Sequence, residues 1–223
     1  AALTRTGLVA IALAIFLSAR GVKLLPVPRT FRGTLILGVL VAIQTFTVQK
    51  AVQLMPVAVA LLLFYLFPFF TGVVASWIGT TPFTRRLGIA LAGAFGGLVL
   101  VLDVGSKTFA PLGIVLAVTA ALTFTAILLL TPRITPGLAG PVRSFYTLTT
   151  AATLFLLLTL AQGGTPLPDT TDGWIGLMGL SVCYGLGAVT MFTMIAIVEP
   201  VRAAVVMNLE PVIVALLGWG VLG

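Results

Sequence analysis

The feature that most constrains this chain is the length of its apolar blocks. Stretch after stretch approaches the ~20 residues needed to span a bilayer, and short runs rich in Pro and Gly separate them. Of the 223 residues, 60% are hydrophobic and only 8% are charged, against about 25% charged in a soluble domain. So few charges cannot cover a water-facing surface. The expected class is an all-α integral membrane protein.

Eight spans are expected: A, 1–19; B, 33–54; C, 57–79; D, 87–104; E, 111–130; F, 144–160; G, 174–198; H, 201–223. The connections B–C and G–H are short enough for tight antiparallel hairpins. Nine of the twelve Lys and Arg residues fall in loops A/B, C/D, E/F and G/H, on one side of this alternation. Among them are Lys23, Arg85, Arg86, Arg133, Arg143 and Arg202. The positive-inside rule makes that side cytoplasmic and places the protein in the inner, cytoplasmic membrane. A net charge of +7 is thereby explained without nucleic acid, for which a basic face interleaved with aromatics is missing. Small residues four apart in D (Ala92 and Gly96, Gly93 and Gly97) predict a packing face.

Spans C and H resemble each other. C opens Met55-Pro56-Val57 and carries Pro68; H opens Glu199-Pro200-Val201 and carries Pro211. The two prolines are 12 apart in C and 11 apart in H, and each segment then reaches a Trp, Trp77 or Trp219. H lies five spans after C, an odd number, so the two cross in opposite directions. That predicts an inverted repeat with halves 1–104 and 105–223, an architecture of secondary transporters. A proline inside a span removes a backbone hydrogen bond and kinks it, which makes Pro68 and Pro211 the expected hinges.

The segments Met55–Pro68, Pro82–Arg86 and Arg202–Gly223, with Asn208-Leu209-Glu210-Pro211 at the centre of the last, resemble the EamA-type family of the drug/metabolite transporter superfamily. The resemblance implies ten helices in two inverted halves of five, with both termini cytoplasmic, and movement of small metabolites, often amino-acid export. On that pattern A to H correspond to the second through ninth helices, and this chain is expected to be a piece lacking one helix at each end. It departs from the pattern at Phe67, where many members carry a Glu.

Glu210 is the acidic residue deepest in a span, and such a group is a functional candidate by default. It could couple protons, or accept hydrogen bonds from open backbone beside the kink. Gln44, Tyr65, Tyr184 and Asn208 join it as candidate substrate-binding residues, polar groups converging on a mostly apolar pocket. Each alone also fits an interhelical hydrogen bond. Lys50 fits snorkelling to the interface. Arg5, one turn into A, fits snorkelling or an acidic partner.

With no His, a single Cys183 and five acids, no metal cluster or catalytic pair is visible, and no cofactor is expected. The expected activity is therefore secondary transport of a small organic solute, driven by a proton gradient or by exchange. A membrane-embedded enzyme on a lipid-linked substrate needs clustered catalytic groups. A passive channel needs rings of charge or carbonyls. The sidedness is testable. With Cys183 replaced, single cysteines at Lys23, Arg86 and Pro136 should resist a membrane-impermeant thiol reagent in intact cells, and labelling there would invert the topology.

Overall fold

The computed structural model describes residues 2–22, 28–80, 84–85, 88–89, 92–93, 96, 110–164, 170–210 and 213. Its helices are α1 (Ala2–Ala19), α2 (Pro28–Leu54), α3 (Val57–Phe64), α4 (Phe67–Trp77), α5 (Pro111–Ile134), α6 (Gly140–Ala161), α7 (Thr171–Ile197) and α8 (Pro200–Met207). No strand occurs among the described residues. Six stretches of 18 to 27 residues are long and apolar enough to cross a membrane: Ala2–Ala19, Thr30–Leu54, Val57–Trp77, Pro111–Ile134, Gly140–Ala161 and Thr171–Ile197. They correspond to the expected spans A, B, C, E, F and G. Span D and the second half of H lie largely outside the described residues.

Proline placement moves several boundaries. Pro28, Pro111, Pro141 and Pro200 all sit in the first two positions of their helices. There the missing N–H is one that no intrahelical carbonyl would have received, and the fixed φ suits the helix. Pro28 had been expected in a loop, yet α2 begins with it. At the other ends, α1 and α4 close with paired bonds typical of a Schellman turn. In α1, Val22 N bonds Leu17 O and Gly21 N bonds Ser18 O, both at 3.0 Å. In α4, Thr80 N bonds Ala75 O at 2.9 Å and Gly79 N bonds Ser76 O at 3.1 Å.

The chain divides into two compact units, Ala1–Ala42 with Leu130–Ile197, and Ile43–Leu129 with Val198–Gly223. In the first, α1 packs against α6 and α7, and α6 against α7. Glycines permit the close approaches: a Cβ on Gly140 would collide with Thr193, and one on Gly38 with Thr150. A Cβ on Gly93 or Gly96 would meet nothing within 4 Å, and Gly97 lies outside the described residues. In the second unit, Ala51, Met55, Val59, Ala60 and Ala117 form one buried cluster. Ala75, Leu129 and Val201 form another, and α4 packs on α8. Large apolar side chains stand exposed on the flanks, Ile175 at 65% and Leu160 at 68% among them, as helices solvated by lipid require.

Arg143 corrects the expectation that it is a loop cation. It lies in the first turn of α6 and is 1% exposed. Its Nε donates to Thr135 Oγ1 at 2.8 Å, Nη2 to the carbonyls of Thr135 and Leu138, both at 2.9 Å, and Nη1 to the Phe192 carbonyl at 2.6 Å. One guanidinium thus satisfies carbonyls just past the end of α5 and one on α7, a place where a cation also meets the helix dipole favourably. Arg143→Ala would strand four acceptors, each buried acceptor left open costing about 1–3 kcal/mol. Arg143→Lys should recover only part of this, because an ammonium lacks the planar fork. Thermal unfolding in detergent should rank wild type above Lys above Ala.

Candidate functional site at the paired helix breaks

Span C is interrupted outright. Its first part, α3, ends at Phe64, and α4 begins at Phe67 with Pro68 in its first turn. The expected kink is therefore a two-residue break at Tyr65 and Leu66. The physical reason is the same missing N–H. Pro68 cannot bond the Phe64 carbonyl and its ring crowds that turn, so the chain closes one helix and starts another.

The same break occurs before Pro211. α3 and α8 are both eight residues long. α3 stops at Tyr65 with φ −70° and ψ 7°, and α8 at Asn208 with φ −69° and ψ −7°. Through the first break run Tyr65 N to Leu61 O, Leu66 N to Leu63 O and Phe70 N to Leu66 O. Through the second run Asn208 N to Ala204 O, Leu209 N to Val206 O and Ile213 N to Leu209 O. Position for position these are equivalent, and they pair Tyr65 with Asn208 and Phe67 with Glu210. They also place Pro56 opposite Glu199, each flanking its helix start with ψ near 136–139°. Pro211 itself, the second expected hinge, lies outside the described residues.

The breaks bring two of the five candidates together. The Tyr65 hydroxyl and the Glu210 carboxylate stand close enough to interact. Around Tyr65 stands an aromatic cluster. Phe67 meets Phe124 edge-on at 4.7 Å, Phe64 lies 5.5 Å from both, and Tyr65 is 5.6 Å from Phe64. Beneath it the Phe67 carbonyl accepts from Thr71 Oγ1 at 2.7 Å and Thr125 Oγ1 at 3.1 Å, and the two hydroxyls are 3.3 Å apart. Backbone beside the break is thus satisfied by α4 and α5, which leaves the Tyr65–Glu210 pair on another side of it.

Asn208 is 8% exposed, and its Oδ1 is buried with no hydrogen-bond partner. A buried acceptor left open costs about 1–3 kcal/mol. This makes Asn208 a polar group available to something else. Gln44 is half-buried on α2 and accepts from the Thr45 hydroxyl at 3.3 Å; it takes no part in the Tyr65–Glu210 pair. Tyr184 belongs to the other unit, where the Arg5 guanidinium stacks over its ring at 4.0 Å. Lys50 is exposed and donates to Gln53 at 3.2 Å. Sequence reasoning missed Phe124, Thr71 and Thr125. Thr71 lies four residues after Phe67, the spacing of a hydroxyl-to-carbonyl bond, but nothing in the sequence ties α5 to the break.

The residues after the first break's partner helix carry the family signal. The EamA-like transporter family model matches residues 111–223, about half the chain, and the chain belongs to that family of membrane transporters. It is a multi-pass membrane protein. A solved structure described only as "Crystal structure of protein" resembles it with TM-score 0.79 and 23% identity, covering 97% of this chain and 77% of that one; the likeness is of fold. No curated protein matches the chain. Pro68→Ala tests the break. It gives the Phe64 carbonyl a donor, so the melting temperature should hold or rise, while transport in vesicles should fall at least tenfold at matched expression. Unchanged transport would make the break a packing feature.

Proposed function

We propose that this chain is a secondary transporter that moves a small organic metabolite, an amino acid or related compound, outward across the cytoplasmic membrane by alternating access. The observation that carries the proposal is the Tyr65–Glu210 pair at two breaks of matching hydrogen-bond pattern. In this reading the breaks belong to inverted halves, 1–104 and 105–223, of a ten-helix arrangement to which eight spans here contribute. Broken helices at membrane depth are tolerated where they line a cavity or are buried in protein. Matching breaks in two halves mark the pathway of many transporters.

The chemistry follows from what each group offers. Glu210 and Asn208 offer acceptors beside the second break, and Tyr65 offers a donor from the first. A solute carrying both donors and acceptors can replace the Tyr65–Glu210 contact with bonds of its own. The break then loses the contact that joins Tyr65 to Glu210, and Pro68 and Pro211 serve as hinges about which the outer parts of the helices turn. Gln44, in the same unit, completes the proposed lining, and Tyr184 stays a separate candidate in the other unit. Phe67 occupies the position equivalent to Glu210, so a single carboxylate serves the pair of breaks. Transport is preferred to membrane enzymology because the family is one of transporters. The energy source in this reading is a proton gradient or solute exchange.

A counterflow screen of the intact protein in vesicles, with pooled amino acids, sugars and cationic drugs, tests the reading. Counterflow of at least one pool is expected, and none with any pool would sink it. Within it, Glu210 acts through its polar contact more than its charge. Glu210→Gln keeps an acceptor for Tyr65 and should retain transport within about threefold. Glu210→Ala should lose tenfold or more, about 1.4 kcal/mol. If Glu210→Gln abolishes proton-driven uptake but spares solute exchange, the carboxylate is instead the coupling group.

A further inference from the structure

Away from the breaks, a groove of about 590 Å³ runs between α1 and α7. Leu8, Phe16, Met178, Val182 and Leu186 are among its walls, and Ser181 is its one polar residue among those described. That hydroxyl is already given to the Leu177 carbonyl at 2.7 Å. Water entering the groove would therefore find at most the Ser181 oxygen as an acceptor, and an ordered water needs two to four partners. The rims are open, with Ile15 66% and Leu186 66% exposed. From Leu8 to Phe16 the helix rises about 12 Å, at a depth where a spanning helix meets hydrocarbon.

One turn before Leu8, on the same face of α1, stands Arg5. Its guanidinium stacks on Tyr184, and its Nε is buried with no hydrogen-bond partner. The ion pair found among the described residues is the exposed Arg202–Glu199 contact at 3.4 Å, so Arg5 has no carboxylate there. A cationic N–H withheld from both water and an acceptor is costly. An apolar slot with a cation one helical turn beyond its Leu8 end is complementary to a molecule with a tail and an anionic head.

We propose that the α1–α7 groove holds one phospholipid with a net negative headgroup, its acyl chain along the groove and its phosphate oxygens on Arg5. Charge selects the head, because a guanidinium makes charge-assisted hydrogen bonds to phosphate oxygens. Shape selects the chain.

The test is native mass spectrometry of the full chain, extracted gently and offered equal amounts of phosphatidylglycerol and phosphatidylcholine. Wild type should retain one phosphatidylglycerol with at least fivefold preference. Arg5→Gln should bring the two lipids to near parity, while Arg5→Lys keeps the preference with weaker retention. Ala12→Trp, which fills the groove, should lose both lipids, and Leu156→Trp on the exposed flank of α6 should behave as wild type. Preference unchanged in Arg5→Gln, or lipid retained in Ala12→Trp, overturns the proposal. So does a wild type that carries no lipid while cysteines placed at Val182 cross-link two copies, since the groove would then be an interface between protomers.

Discussion

Hydrocarbon offers a backbone N–H or C=O nothing to bond with, and this fold is an answer to that one constraint. The helices satisfy their own interiors. Pro28, Pro111, Pro141 and Pro200 stand in first turns, where a missing N–H deprives no carbonyl, while Pro132 lies inside the last turn of α5. Hydroxyls are turned back on their own helices: Thr47 on Ile43 O, Thr119 on Val115 O, Thr193 on Val189 O. Such bonds let a polar residue sit in a span without demanding a neighbour. Where α5 runs out of helix, Arg143 supplies the donors. The two breaks are the places where the ladder is given up, and they recur with the same bonds.

How much of this was legible follows from which signals are local. Span length and polarity are local, and six of the expected spans stand as helices long enough to cross a membrane. The twin prolines are local as well, and they marked the breaks to within three residues. What they could not give was the form. A proline in mid-span reads as a kink, whereas Phe67 and Pro68 begin a new helix and leave Tyr65 and Leu66 between. Arg143 was misread because a basic residue near a loop looks like every other orienting charge. Only the carbonyls of Thr135, Leu138 and Phe192, up to 49 positions away, show that it is an internal donor.

The candidate residues divide along the same line. Tyr65 and Glu210 meet because α4 packs on α8, and the likeness of their segments hinted at that. Tyr184 was grouped with them on depth alone, and the structure gives it Arg5 for company. The equivalence of Phe67 and Glu210 is the more instructive result. One position of the pair faces aromatic rings and the other offers a carboxylate. Matching backbones therefore carry unlike chemistry, with the hydroxyl of Tyr65 at the first break and the acceptors of Asn208 and Glu210 at the second.

Arg143 also imposes an order on biogenesis. Its span leaves the ribosome well before Phe192 exists, and until then the guanidinium lacks one of its four acceptors. A cation short of partners resists transfer into lipid. The head of α6 must therefore wait at the water-facing edge of the insertion machinery until the far end of α7 arrives. The head of α6 is thus only provisionally seated, and the last turns of α7 lock it in place.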